Sequence, residues 1–135
     1  CLEAYSSGTG MENYVKQQLE EGRESIIREM VENDISKVRG PIIGKAAAEN
    51  DELAIEAIER VGYYLGIALA NVHTLLNPEV VLLGGGMMAL KDIFMPVLLE
   101  TMKKHILPVA DDGLLVREAK FQNEAVLLGG AAIFA

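Results

Sequence analysis

The sequence predicts an α/β fold in which helices outweigh strands. Apolar residues recur at helical spacing over about seven turns between Ala54 and Leu76, as a long amphipathic helix requires. An apolar run rich in β-branched residues, Val80–Leu83, then leads directly into Gly84–Gly86. A further helix and a second apolar segment, Leu114–Glu118, complete a strand–turn–helix–strand order. That order is typical of the βαβ unit of parallel sheets.

Shorter helices are predicted before the long one. Apolar side chains in residues 11–33 recur every three or four positions with a break near Gly22, so two amphipathic helices are expected there. Gly40 and Pro41 predict the start of a short helix that ends near Glu49. Proline suits the first helical position because its missing N–H costs nothing there.

The long helix is predicted to begin at a cap formed by Asn50 or Asp51 and to end at Asn77 and Pro78. No charged residue occurs from 62 to 69, so we expect the second half of the helix to be buried on all sides. Three small residues would let a neighbouring element approach closely: Gly62, Gly66 and Ala70.

The run Val80–Leu83 has no polar alternation, which indicates a strand covered on both faces. Leu90–His105 is the next predicted helix, with a kink expected at Pro96 because proline crowds the preceding turn. Glu124–Phe134 is predicted as the final helix. Two strands are too few for a sheet buried on both faces, so we expect most of the sheet to lie upstream of Cys1.

The composition indicates a folded globular domain. Among 135 residues, 50% are apolar and 24% are charged, and the formal net charge at pH 7 is −8. Negative charge repels phosphate backbones, and the largest basic cluster is the pair Lys103 and Lys104. We therefore expect no nucleic-acid binding through this segment.

Neither membrane insertion nor disulfide bonding is expected. The longest nearly unbroken apolar stretches, residues 63–70 and 125–135, are shorter than the ~20 residues of a membrane-spanning helix. Cys1 is the single cysteine, so no internal disulfide can form, and no signal peptide is visible. The cytoplasm is the expected compartment.

Gly84–Gly86 is the strongest chemical signal in the sequence. Three glycines after a buried strand would let a nucleotide lie flat against the backbone at the carboxyl end of the sheet. The alternative is a tight strand-to-helix turn that needs a positive φ angle. The segment is not a dinucleotide fingerprint, because Met87 and Met88 stand where a third spaced glycine would be required.

The other polar candidates have structural explanations. Cys1 and Glu3 offer a thiolate and a carboxylate, but they can equally be a small residue and a solvated helix residue. We expect His73 to pack among apolar residues, His105 to stand at a helix end, and the aspartates at 111–112 to form a turn. No nucleophile–base pair and no complete metal site is found in the sequence.

Five stretches, in order, resemble the ROK family (repressor, open reading frame, kinase). Residues 1–8, with sequence CLEAYSSG, are similar to the end of its zinc-loop signature. Residues 46–54 and 64–71 resemble its long helix, residues 77–86 its adenosine motif, and residues 127–132 its closing helix. Each stretch is a weak match alone, but they follow one another in the family's order from residue 1 to residue 132, so the resemblance extends over essentially the whole chain.

The resemblance implies a fold and an activity. Residues 1–135 would be the C-terminal portion of the second actin-like (ribonuclease H-like) domain of a glucokinase-like hexose kinase, without an internal boundary. The kinase would use ATP with Mg²⁺, would bind Zn²⁺, and would form homo-oligomers. By the same resemblance Cys1 would be the last of four zinc ligands and Glu3 would contact the sugar. Gly84–Gly86 and Met87 would line the adenosine pocket.

The resemblance leaves an alternative from another functional class, the sugar-sensing domain of a ROK transcriptional repressor. The intact Gly84–Gly86 favours the kinase, because repressors often have an eroded ATP pocket. A helical interaction module without a small ligand is disfavoured by the βαβ unit. Since Cys1 falls inside the zinc-loop signature, we expect a piece of a longer protein. The phosphate loop, the general base and three zinc ligands would lie upstream, and this piece alone would be inactive and free of zinc.

Overall fold

The computed structural model of the chain describes residues 1–107, 115–120, 129–131 and 133. Its elements run in the order α1 Glu3–Ser6, α2 Gly8–Glu20, α3 Ile27–Met30, α4 Gly40–Ala48, α5 Glu52–Leu76, β1 Val80–Leu83, α6 Lys91–His105 and β2 Leu115–Glu118. Short 3-10 turns occupy Ile35–Lys37 and Gly86–Leu90. Residues 129–131 are helical as well.

The predicted βαβ unit is confirmed. β1 and β2 pair in parallel, with Val80 opposite Leu115 and Leu83 opposite Glu118, and α6 connects the two strands. The ladder continues past β2, because the N–H of Ala119 donates to the carbonyl of Leu83 at 2.8 Å.

The expectation that β1 is covered on both faces is wrong within the described residues. Val80 and Leu82 are 43% and 61% exposed, whereas Val81 and Leu83 pack partly buried against the core. The physical reason is that the helices cover one side of this pair of strands. Alternate side chains therefore point away from the core.

The core is formed by α5 together with α2, α3 and α4 on the N-terminal side and with α6 on the C-terminal side, and α5 and α6 approach each other closely. A Cβ on Gly62 would collide with the carbonyl oxygen of Phe94, and one on Gly66 would lie 2.6 Å from the carbonyl oxygen of Leu98. Both glycines therefore remove side chains from a surface that α6 occupies, and Ala70 is fully buried on the same helix. The close approach predicted for these small residues is confirmed at Gly62 and Gly66, and at Ala70 it stays a prediction.

The expectation that the second half of α5 is buried on all sides is wrong. Leu75 and Leu76 are 80% and 75% exposed, and Tyr63 and Val72 are exposed as well. Among the described residues, α6 covers the side of this half that carries Gly62 and Gly66, and the side that carries Tyr63 and Val72 stays exposed. Absence of charge on a helix thus did not indicate burial all round.

The caps of α5 agree with the sequence. Asp51 is the N-cap, and its Oδ1 accepts from the N–H of Ala54 at 2.9 Å. Asn77 is the C-cap in the left-handed region, with φ of 45°, and its N–H donates to the carbonyl of His73. Both side chains suit these places because short polar residues satisfy helix ends and tolerate left-handed backbone.

Of the two amphipathic helices expected before residue 33, only the first is full length. Ser7 caps α2 by accepting from the N–H of Gly10 at 3.0 Å. The second, α3, is only four residues long, because Glu32 and Asn33 take positive φ angles that a right-handed helix cannot contain. α4 begins at Gly40 as predicted, with proline in its first turn.

The last predicted helices are described in part. α6 matches the expected span, with Pro96 inside it, and the kink there stays a prediction. Most of the predicted helix Glu124–Phe134 lies outside the described residues; residues 129–131 of it are helical. None of the described helices is long and apolar enough to cross a membrane.

Candidate functional site

The segment that carries Cys1 and Glu3 lies at the surface. α1 forms a single turn in which the Ser6 hydroxyl donates to the carbonyl of Leu2 at 2.9 Å, and none of its residues is buried. Cys1 and Glu3 are both exposed. Their side chains are therefore accessible to a ligand, and α1 depends on neighbouring elements for its position, because one helical turn is unstable alone.

Gly10 is the first of these neighbours. A Cβ at Gly10 would lie 2.5 Å from the carbonyl oxygen of Ala4 and 3.0 Å from that of Glu3. Atoms do not approach so closely, so only glycine permits this packing of α2 against the backbone of α1. Gly10 thus sets the place of the peptide that bears Glu3.

The glycine segment stands at the carboxyl end of β1. Gly85 has a φ angle of +100°, which L side chains rarely adopt, so the tight-turn explanation holds at this position. A Cβ at Gly85 or Gly86 would meet no described atom within 4 Å, so the backbone here faces open space. The backbone at Gly85 therefore forms the tight turn and also leaves room for a flat ligand.

Two predicted parts of the site lie near each other. The sulfur of Met87 would be 3.7 Å from a Cβ built on Gly8, the last residue of the zinc-loop resemblance. Beyond the loop, Lys91 at the start of α6 forms an ion pair with Glu118 at the end of β2. The hydrogen bond from Lys91 to Glu118 raises the pKa of that lysine. The pair joins the first turn of α6 to the second strand beside the glycine segment.

A group of aromatic and basic side chains holds α1, α2 and α5 together, and sequence reasoning missed it. The guanidinium of Arg60 lies 5.4 Å from the ring centre of Tyr5, 4.6 Å from that of Tyr14 and 4.9 Å from that of Tyr64. The Tyr5 and Tyr64 rings contact each other, with centroids 4.6 Å apart. We call Tyr5, Tyr14, Arg60 and Tyr64 the tyrosine–arginine cluster. Its one local signal was the four-residue spacing of Arg60 and Tyr64, which places both on one helix face.

Glu56 extends this cluster with hydrogen bonds. The Tyr14 hydroxyl donates to Glu56 Oε1, and Arg23 Nη2 donates to Glu56 Oε2 at 2.6 Å. The hydrogen bonds from Arg23 and then from Tyr14 lower the pKa of Glu56. Burial, followed by the bond to Glu56, raises the pKa of Tyr14. A cavity of about 340 Å³ opens beside these residues, lined also by Arg60 and Val97.

The described residues contain no group of three or more His, Cys, Asp or Glu side chains that could hold a metal ion. Cys1 is the single cysteine of the chain. His73 is buried on α5, and His105 ends α6 with its Nδ1 2.8 Å from the carbonyl of Thr101. Asp111 and Asp112 lie outside the described residues. The chain's own described side chains therefore do not complete a tetrahedral zinc site around Cys1.

Comparison with known proteins gives one family. The model of the ROK family matches residues 1–135. A glucokinase from Halalkalibacterium halodurans is 31% identical over 134 residues, which make up 96% of this chain and 39% of that protein. This chain thus spans about two fifths of the length of that relative.

Solved structures agree on the fold. A ROK family glucokinase from Streptomyces griseus, solved with glucose and AMPPNP, superposes on this chain with a TM-score of 0.85 at 21% sequence identity. The superposed region includes 98% of this chain and 44% of the glucokinase chain. A ROK family transcriptional regulator, a homologue of the Escherichia coli Mlc protein, superposes with a TM-score of 0.80 at 31% identity, covering 98% of this chain and 32% of its own.

The helices and strands described above therefore correspond to part of the actin-like fold of ROK sugar kinases, as the resemblance implied. Two functional classes, kinases and transcriptional regulators, share this part of the fold. With the family model matching every residue of the chain, this protein belongs to the ROK family.

Proposed function

We propose that this chain is the C-terminal portion of the second domain of a glucokinase-like hexose kinase. The observation that carries the proposal is the open backbone at Gly85 and Gly86, at the carboxyl end of β1. Open α/β sheets bind nucleotides at that edge, and a surface without side chains admits a flat base and ribose. The glucokinase relative and the structure solved with AMPPNP support the same assignment.

The proposal gives each site residue a role. Gly84–Gly86 and Met87 line the adenosine pocket, and Glu3 accepts hydrogen bonds from sugar hydroxyls through an exposed carboxylate. Transfer of the γ-phosphoryl group rests on positioning and on charge stabilisation around Mg²⁺. We propose that the phosphate loop and the general base precede this chain in the polypeptide. No residue of this chain is assigned a catalytic role.

Cys1 is the one residue of this chain that we propose as a zinc ligand. A structural zinc site takes four ligands, and Cys1 is exposed without a cluster of further ligands among the described residues. The remaining ligands would have to come from residues that precede Cys1. Metal analysis of the dialysed chain is expected to find less than one zinc per molecule, and one tightly bound zinc would contradict this assignment.

The second candidate is the sugar-sensing domain of a ROK repressor. The observation in its favour is the regulator structure, which matches 98% of this chain at higher identity than the glucokinase structure does. DNA would then be bound by another part of the polypeptide, since this chain carries a net charge of −8. In either case we propose a cytoplasmic homo-oligomer.

A coupled assay of the complete polypeptide with ATP, Mg²⁺ and glucose distinguishes the two. We expect turnover, with the isolated chain as a control that gives none. Glucose binding without turnover, together with glucose-sensitive binding to duplex DNA, would establish the repressor instead. Turnover by the isolated chain would show that the catalytic groups lie within these residues and that the roles above are wrong.

A further inference from the structure

The short helix α1 carries Glu3 but has no buried residue of its own. A single turn gains too little from its own hydrogen bonds to hold one orientation in water. The direction of the Glu3 side chain is therefore set by what α1 touches. The described contacts are the close packing on Gly10 and the ring of Tyr5 in the tyrosine–arginine cluster.

Arg60 stands at the centre of that cluster. Its guanidinium lies within 5.4 Å of three tyrosine ring centres, one each from α1, α2 and α5. Within the described residues it forms no ion pair, whereas Arg23 pairs with Glu56 close by. Cations are attracted to the faces of aromatic rings, so the guanidinium draws the three rings together.

The geometry of α1 connects this cluster to the candidate site. Tyr5 and Glu3 are two residues apart on the same turn, and Tyr5 rests on Tyr64 with ring centroids 4.6 Å apart. A displacement of Tyr5 would carry the turn with it, because the N–H groups of Tyr5 and Ser6 both donate to the carbonyl of Leu2. Glu3 would move with it.

We propose that Arg60 is a positioning residue for sugar binding, acting on Glu3 through Tyr5. The inference rests on the proposed function, in which Glu3 contacts the hexose. In this proposal Arg60 acts through Tyr5 and does not itself contact a substrate. Loss of its charge is expected to loosen α1 and to weaken hexose binding, while the nucleotide loop after β1 keeps its geometry.

The test uses the complete polypeptide with three variants. Arg60→Met keeps an unbranched apolar stem without the charge, and Arg60→Lys restores a cation over the rings. Arg39→Met is the matched control, since Arg39 donates only to the carbonyls of Ser36 and Val38 in the described structure. Glucose affinity is measured by calorimetry, and KM for glucose and for ATP by the coupled assay.

We expect Arg60→Met to weaken glucose binding and to raise its KM about tenfold, with the KM for ATP changed less than about twofold. Arg60→Lys should recover most of the loss, and Arg39→Met should match the wild type. Equal losses for glucose and ATP without rescue by lysine would show that Arg60 merely stabilises the fold. An unchanged glucose affinity would overturn the proposal directly.

A second pair of variants covers the case in which Arg60→Met does not fold. Tyr5 is 44% exposed, so Tyr5→Ala leaves the core intact, and Tyr5→Phe keeps the ring. Tyr5→Ala should reproduce the glucose defect and Tyr5→Phe should not; a Tyr5→Ala protein with wild-type glucose affinity would refute the link. Because calorimetry needs no turnover, a wild type that binds glucose without phosphorylating it would refute the kinase alone. A wild type that binds no glucose would refute both.

Discussion

At the scale of single residues, two glycines with similar backbones lie in different parts of the fold. Gly22 and Gly85 have φ angles of +92° and +100°, and a Cβ at either would meet nothing within 4 Å. Gly22 lies in the turn after α2, whereas Gly85 lies at the end of β1, where we propose that the adenosine sits. Substitutions at the two positions therefore impose the same backbone strain, but only a side chain at Gly85 would contact the proposed nucleotide.

This pair gives a prediction for nucleotide binding. In the complete polypeptide, Gly85→Val should raise the KM for ATP about tenfold or more and leave the KM for glucose nearly unchanged, since the new side chain fills the open surface. Gly22→Val carries the same backbone strain and is the control, for which both constants should stay at wild-type values. Steady-state kinetics measure both. If Gly85→Val leaves the KM for ATP unchanged, the glycine segment is only a turn.

At the scale of elements, the closest helix contact described is that of α5 with α6. Gly62 and Gly66 face the backbone of α6 at Phe94 and Leu98, so the helices meet without intervening side chains. An exposed helical glycine usually costs stability relative to alanine, by about 1 kcal/mol. In α5 the close approach outweighs that cost, because larger residues would push the helices apart.

The contact predicts that alanine at position 62 destabilises the protein, although alanine usually favours a helix more than glycine does. Gly62→Ala should lower the free energy of unfolding by about 2–4 kcal/mol, because its Cβ would collide with the carbonyl of Phe94. Gly40→Ala, on α4, is the control: its Cβ would lie 3.8 Å from the nearest atoms of Met11 and Glu12. Urea titrations of both variants and the wild type test this. A Gly62→Ala protein as stable as the Gly40→Ala protein would show that α6 is not so close.

At the scale of the whole molecule, apolar side chains remain at the surface at one end of α5 and on β1. Leu75 is 80% exposed, and Leu76, Leu82 and Val80 are exposed as well. Large apolar patches on soluble proteins usually mark contact surfaces. At ~25 cal/mol per Å², several hundred Å² of apolar surface left in water costs on the order of 10 kcal/mol.

We therefore expect the isolated chain to associate through this patch. Sedimentation equilibrium at micromolar concentration should give a mass above the 14.6 kDa of one chain. Leu75→Glu should return the mass towards that of a monomer, since it places a charge on the contact surface. Asn13→Glu adds the same charge at an exposed position of α2 and should not. A wild-type mass of 14.6 kDa would contradict the prediction and show that the chain tolerates this surface in water.

The sequence alone determined the local features of this protein. The helical period and the caps Asp51 and Asn77 predicted α5, and the apolar run before Gly84–Gly86 predicted β1. Local hydrogen bonding and turn geometry depend on neighbouring residues, so they can be read along the chain. Joint motifs also identified the family, which the match over all residues confirmed.

Only the tertiary structure decided which elements touch. The tyrosine–arginine cluster draws residues from three helices, and Gly10 is restricted by a carbonyl of another helix. The exposed Leu75 likewise depends on which face of α5 is covered by α6. Such contacts join residues far apart in sequence, and no local period encodes how closely two backbones approach. The residues that support the site could therefore not be predicted from the sequence, because their role arises from packing between elements.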